Sequence, residues 1–225
     1  MSTLKLENIK HPDSASNNIS VDSSGRVGIG TTSPTKTLHI YGNSENNHQI
    51  RLENTFGTGS DWTLNAYGAN GNFYIGNNLD RVVIDSAGRV TMPYQPSFFA
   101  YYSSGFSVPA YNSNIVYDTI EHNTGGHYST STGRFTAPVT GIYRFVHKLN
   151  TPVNDTIEAK LNKNGTEVCR SYTIASTQNK TIYAVMSMSL NANDYITAGT
   201  YNPSASSVSH YGGIVQSQFS GYLLG

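Results

Sequence analysis

Tyr117-Asp118-Thr119-Ile120-Glu121-His122-Asn123-Thr124-Gly125-Gly126-His127-Tyr128-Ser129-Thr130-Ser131-Thr132-Gly133-Arg134-Phe135-Thr136-Ala137-Pro138-Val139-Thr140-Gly141-Ile142-Tyr143-Arg144-Phe145-Val146-His147 is the stretch that decides the fold. Its last seven residues alternate: Tyr143, Phe145 and His147 point one way, and Ile142, Arg144 and Val146 the other. Period-two alternation bounded by Gly and Pro marks a half-buried strand, so one of these two faces is core.

The same alternation extends outward. Strands are expected at Ile115 to Tyr117, Tyr128 to Phe135, Gly141 to Leu149, Ile157 to Asn162, Glu167 to Tyr172, Thr181 to Leu190, Tyr195 to Tyr201 and Ile214 to Leu224. Asn164-Gly165 between two of them is a two-residue hairpin signal. So many strands in about 130 residues imply a jelly-roll sandwich or a closed barrel. Towards the N-terminus, two prolines in Met92-Pro93-Tyr94-Gln95-Pro96 interrupt pairing and mark a boundary. Before it the turns are denser, with strands at His39 to Tyr41, Gln49 to Glu53, Trp62 to Tyr67 and Asn72 to Ile75. Ile19-Ser20-Val21-Asp22-Ser23-Ser24-Gly25-Arg26-Val27 returns as Val82-Val83-Ile84-Asp85-Ser86-Ala87-Gly88-Arg89-Val90, a hairpin used twice. The division expected is an N-terminal β arm over 1–40, a small β segment over 41–93 and a head over 94–225. The whole is all-β.

Composition narrows the function. Lys+Arg (14) balance Asp+Glu (14), and charged residues make up 12% of 225, about half the usual share. A neutral chain without a basic run lacks the electrostatic footprint for nucleic acid or anionic lipid. No segment reaches the ~20 apolar residues of a membrane span, and the first residues have no signal-peptide core. Cys169 is the single cysteine, so no disulfide forms within the chain and oligomerisation is one route to stability.

The quoted stretch resembles the globular head of complement C1q, within the tumour necrosis factor superfamily of trimeric jelly rolls. Asn123, Tyr128, Phe135, Gly141, Tyr143 and Phe145 keep the family's spacings, while Tyr117 and His147 stand where Phe, or Phe and Tyr, are usual. Gly133 to Pro138, Asn162 to Gly165 and the closing Phe219-Ser220-Gly221-Tyr222-Leu223-Leu224 are also similar, so the likeness covers about 96–225. It implies a homotrimer packed through aromatic and aliphatic strands, with Tyr117, Asn123, Tyr128, Phe135, Gly141, Tyr143, Phe145, Phe219, Gly221 and Leu223 as signature and trimer core. Val27-Gly28-Ile29-Gly30-Thr31-Thr32-Ser33-Pro34 and the repeated hairpin resemble segments of bacteriophage tail fibres, which form intertwined β-structure about a threefold axis. That makes the N-terminal part a hairpin-rich, fibre-type arm.

Other chemistry finds little footing. Gly28-Ile29-Gly30 lacks the third glycine and the helix of a dinucleotide loop, and Gly57-Thr58-Gly59-Ser60-Asp61 lacks the second flanking glycine of a nucleophile elbow. No carboxylate pair stands out for a glycosidase. Asp118, Glu121, His122 and His127 are the one conceivable metal group and read better as strand-end and loop residues. Cys169 reads as a small buried thiol. No cofactor, metal or catalytic residue is therefore expected. Counting loops back from the last strand puts Asn202 to His210, Thr173 to Lys180, Asn150 to Thr156 and Glu121 to His127 at one exposed tip. Loops on a rigid scaffold are where binding residues gather, so His122, His127, Asn154, Asp155, Gln178, Asn179, Ser206 and His210 are the candidate receptor contacts. The expectation is a virion protein made in the host cytoplasm without a signal peptide and carried on the tail or capsid surface. It would be a short trimeric phage tail fibre or tail-associated protein whose arm holds other virion proteins and whose head binds a host surface glycan or protein without catalysis. A capsid decoration (cement) protein and a bacterial surface adhesin are the alternatives.

Overall fold

Turn-forming Asn, Ser, Thr and Gly every few residues leave no room for a helix. The computed structural model is all-β across the residues it describes: 7–15, 17–42, 49–56, 60–77, 79–108, 111–151, 156–174, 178–202 and 207–225. The chain separates into two units, 1–93 and 94–225.

The first unit holds two sheets. Strands β1 (Asn8–Ile9), β2 (Ile19–Val21), β3 (Val27–Ile29) and β4 (Leu38–Ile40) lie side by side in that order, the last pair parallel. Strands β5 (Gln49–Asn54), β6 (Ser60–Tyr67), β7 (Asn72–Gly76), β8 (Asp80–Ile84) and β9 (Val90–Thr91) form an antiparallel meander. The repeated motif closes both β2–β3 and β8–β9 by one device. The Asp22 carboxylate accepts from the backbone N–H of Ser24 and Arg26, both at 2.9 Å, and from Arg26 Nε at 2.7 Å. Asp85 does the same with Ala87, Arg89 and Arg89 Nε at 2.9, 2.9 and 2.6 Å. Each turn ends in a glycine at positive φ, 75° at Gly25 and 82° at Gly88, which other residues adopt at a cost. Among the described residues these sheets enclose no fully buried Ile, Leu, Val, Phe, Tyr, Trp or Met. Among the described residues of 1–93, those that are buried are Ser20, Gly28, Pro34 and Gly76. Ile9, Leu38, Leu52, Trp62, Val90 and Met92 are all exposed.

The second unit is a two-sheet sandwich. In chain order its strands are β10 (Ser97–Tyr101), β11 (Phe106–Val108), β12 (Tyr111–Asn114), β13 (Thr119–Thr124), β14 (Tyr128–Ser129), β15 (Arg134–Thr136), β16 (Gly141–Thr151), β17 (Ile157–Lys163), β18 (Thr166–Thr173), β19 (Lys180–Leu190), β20 (Tyr195–Asn202), β21 (Val208–His210) and β22 (Gln218–Leu223). One sheet runs β13-β10-β22-β16-β19; the other runs β14-β15-β20-β17-β18, with β12 also on β20; β11 and β21 pair separately. Tyr143, Phe145 and His147 face inward and are fully buried, which settles the ambiguity of the alternation. The Phe98 ring sits 4.9, 5.0 and 4.8 Å from the rings of Tyr128, Phe135 and Phe219. Gly221 is part of this packing: a Cβ there would lie 2.4 Å from Phe145 Cδ1 and 2.9 Å from Phe98 Cε1.

The role expected of these residues is corrected accordingly. Tyr117, Tyr128, Phe135, Tyr143, Phe145 and Phe219 are buried inside one protomer, because the inward side chains of the two sheets interdigitate to fill the space between them. They are the sandwich core and have no surface left for contact between protomers. Asn123 acts locally: its Nδ2 donates to the Tyr128 carbonyl at 2.8 Å and its Oδ1 accepts the Tyr128 N–H at 3.1 Å.

Three expected strands also differ. Residues 115–118 are irregular, although Ile115 and Tyr117 are buried, and regular pairing flanks them on both sides. The last strand begins at Gln218, because Gly213, at φ 107°, turns the chain and leaves Ile214 and Val215 exposed. Tyr128 to Phe135 is a hairpin rather than one strand. Gly133 reverses the chain at φ 68°, its N–H bonding the Ser129 carbonyl at 2.8 Å, where a side chain would run into the Ile115 carbonyl at 2.9 Å.

Candidate functional site

Strand register fixes which loops share an end. Gly141 pairs with Leu190, Tyr143 with Leu223, and Ser97 with both Tyr222 and Thr124, so residues 97, 124, 141, 190 and 223 lie at one end. Thr151 pairs with Lys180, Tyr101 with Gln218, Tyr111 with Asn202, and Ile157 with Thr173 at the other. The connections 151–157, 173–180 and 202–208 all leave from that far end.

Glu121 to His127 does not join them. The loop follows Thr124, at the near end, because the reversal at Gly133 adds one strand to the count and inverts its parity. His122 is exposed on the outer face of β13, its ring 6.4 Å from that of Phe99. His127 is half-buried, its ring 6.3 Å from that of Phe135, and burial lowers its pKa. His210 is placed at the far end, but it is 2% exposed and packed 5.2 Å from the Phe106 ring. A ring held there is a core group, not a receptor contact. Gln178 and Asn179 are exposed at the far end, where the Tyr211 hydroxyl donates to Asn179 Oδ1 at 3.5 Å. Asn154, Asp155 and Ser206 lie outside the described residues.

Polarity of the loops hid an apolar feature at this end. Tyr172 and Ile174 at the close of β18 and Val215 before β22 are 68%, 71% and 69% exposed. A second exposed apolar set, Ile142, Tyr183, Val185 and Tyr222, lies on the outer face of the β10-β22-β16-β19 sheet, around the half-buried Val146 that pairs with Val185.

The residues considered for chemistry are spread apart. Asp118 accepts from the Ser103 N–H, Ser103 Oγ and Thr119 Oγ1 at 2.9, 3.1 and 2.8 Å at the start of β13. His127 follows the other end of that strand, so the two are separated by its length. Among the described residues no group of three or more His, Cys, Asp or Glu side chains is placed to hold a metal. Cys169 is half-buried rather than buried, with burial raising its pKa.

Inside the sandwich, His147 is fully buried and bridges the sheets. Its Nδ1 lies 3.1 Å from the Lys160 carbonyl and its Nε2 3.0 Å from Tyr117 Oη. A carbonyl only accepts, so Nδ1 carries the proton and Nε2 accepts from the tyrosine. Burial pushes the imidazole pKa down to about 4 from 6.5, the Lys160 carbonyl partly opposing it. His147 therefore stands as a neutral ring at the position where Phe or Tyr is usual in the resembled family.

Among solved structures, the globular domain of zebrafish complement 1qA is 14% identical, with a TM-score of 0.48 over 58% of this chain and 98% of that one. Murine APRIL at pH 5.0 is 13% identical, with a TM-score of 0.47 over 58% and 99%. Eiger TNF from S. frugiperda is 14% identical, with a TM-score of 0.42 over 58% and 94%. No curated protein matches the chain. The family model described as "C1q domain" matches residues 97–224. With a two-sheet sandwich over the same residues and the aromatic signature at its centre, the chain belongs to the C1q domain family.

Proposed function

We propose that this chain is a homotrimeric attachment protein of a virion, a short phage tail fibre or tail-associated protein. Its head meets the host surface through the far-end loops, and its arm is held by other virion proteins. Its work is binding. The observation that carries the reading is the contrast between the units. The head buries a large aromatic and aliphatic core internally, while among the arm's described residues Pro34 is the one apolar side chain that is buried, with Leu64, Ile75, Val82, Val83 and Ile84 half-buried. A segment whose apolar side chains are at most half-buried has little hydrophobic gain to set against the ~1–2 kcal/mol per residue of backbone ordering, so its exposed Ile, Leu, Val and Trp call for cover from copies of the chain. The exposed set around Val146 and Val185 on the head gives those copies a second contact, and fibre-like repeats in the arm agree with intertwining. Three heads in one trimer would add avidity to a weak single contact.

Light scattering after size exclusion tests the assembly: a mass of three times 24.4 kDa is expected, and a stable monomer at micromolar concentration overturns it. Labelled protein offered to bacterial cells and to emptied capsids tests the role. Binding to cells is expected, and binding confined to capsids refutes attachment in favour of decoration.

A further inference from the structure

We propose that the outer face of the β12-β20-β17-β18 sheet carries a binding site for one neutral sugar unit. Alternation along β17 turns Ile157, Ala159 and Leu161 into the core and leaves Glu158, Lys160 and Asn162 on the outside. Opposite them in register on β20 stand Tyr201, Gly199 and Thr197. Gly199 also faces Asn114 of β12. On the other side of β17, Arg170 and Glu167 of β18 pair with Lys160 and Asn162. Gly199 therefore interrupts a row of outward side chains in a central strand, the situation in which backbone is left open to a ligand. The result is a depression of about 280 Å³ walled by Asn114, Lys160, Asn162 and Glu167. That is just below the ~300–1,000 Å³ of drug-sized sites and suits one monosaccharide ring.

The walls are fixed in place. The Lys160 side chain is only 8% exposed although it faces outward, its Nζ lying 2.8 Å from Glu167 Oε2, 3.5 Å from Glu158 Oε2 and 5.0 Å from the centre of the Tyr201 ring. Arg170 Nε holds Glu167 Oε1 at 2.7 Å and its Nη1 reaches Glu158 Oε1 at 3.4 Å. Asn162 Nδ2 and Thr197 Oγ1 converge on Asn114 Oδ1 at 3.3 and 3.4 Å. Two cations and two carboxylates cancel, so no net field favours an ion. What the site offers is carboxylate and amide oxygens as acceptors beside ammonium and amide donors, a few ångströms apart. Vicinal hydroxyls, each donor and acceptor at once, match that set, and the open backbone at Gly199 lets a sugar ring approach the floor. The site is separate from the far-end loops and stands without the attachment reading.

Saturation-transfer NMR on the full chain, with glucose, galactose, N-acetylglucosamine and rhamnose as probes and inorganic phosphate as the ionic control, tests the inference. At least one sugar should bind with a dissociation constant of about 1 mM, as expected of one small polar site, and phosphate should not displace it. Gly199→Val, which fills the floor, should weaken binding at least about tenfold. Asn162→Ala leaves the floor open and removes one wall, and should weaken it in the same direction. No saturation of any sugar, displacement by phosphate, or unchanged binding in both variants overturns the site. Purified surface-polysaccharide fragments run beside the free sugars tell a glycan terminus from a soluble sugar. Cell attachment is read separately: where Gly199→Val loses the sugar but keeps attachment, the sugar site stands and host contact lies elsewhere.

Discussion

Acid should weaken the head through His147 before it reaches the carboxylates. The ring is fully buried, with its pKa pushed down to about 4 from 6.5, while the unfolded chain leaves it near the ordinary value. The unfolded state therefore binds the proton first as pH falls. Stability is fully present above about pH 6.5, declines between about 6.5 and about 4, and is flat in this group below that. At 1.36 kcal/mol per unit, the gap corresponds to about 3 kcal/mol, most of it lost by about pH 4.5. His127, its pKa lowered by partial burial, adds in the same direction. The assay is urea denaturation at fixed protein concentration across this range, on the wild type and on His147→Phe. The variant removes the partner of Tyr117 Oη and of the Lys160 carbonyl, so it should be less stable at neutral pH by about 1–3 kcal/mol. Its loss from pH 7.5 to 4.5 should nevertheless be smaller than the wild type's by most of that about 3 kcal/mol. A variant that keeps the full acid sensitivity of the wild type refutes the assignment.

Gly221→Ala should cost about 1–3 kcal/mol, the usual range for overpacking, because the new Cβ would meet Phe145 2.4 Å away and that ring is itself wedged against Phe135 and Phe219. A thermal melt unchanged from wild type would remove the close approach from the account. Association through the face bearing Ile142, Val146, Tyr183 and Val185 should persist in about 1 M NaCl, where the Debye length is about 3 Å. A mass that falls to the monomer's at high salt would replace apolar contact with ion pairs.

Much of the head was readable because its signals are local. Asn164 and Gly165 take the positive φ of a two-residue hairpin, 50° and 84°, and Asp22 and Asp85 close their turns within four residues. What escaped was non-local. Ser129 to Gly133 looks like continuous strand by composition, and its reversal depends on Gly133 fitting against the Ile115 carbonyl, a contact that no sequence window contains. One missed reversal then moved His122 and His127 to the wrong end of the sandwich. The site around Lys160 escaped for a similar reason: Asn114, Lys160, Glu167 and Gly199 become neighbours only through the register of four strands. His210 looked like a loop residue because polar neighbours surround it in sequence, whereas in β21 it faces Phe106.

The neutral, turn-rich composition runs through the whole chain, but it has different consequences in the two units. In the head, alternation has a second sheet to face, so inward residues such as Phe98, Leu161 and Ile196 become fully buried. In the arm the same alternation leaves Val21, Ile29 and Leu52 40%, 40% and 62% exposed, and among its described residues no large apolar side chain is fully buried. Polar clasps such as Asp22 with Arg26 shape a turn, but exposed ion pairs contribute little to stability. The arm's order should then be conditional on association and the head's should not. Hydrogen exchange on the full chain, followed by dilution, separates the two. Amides of β2, β3, β6 and β7 should lose protection together with the oligomer, while those of β16 and β17 keep theirs. Arm amides that stay protected in a dilute monomer would mean the unit has an interior of its own and would remove the main support for the assembly.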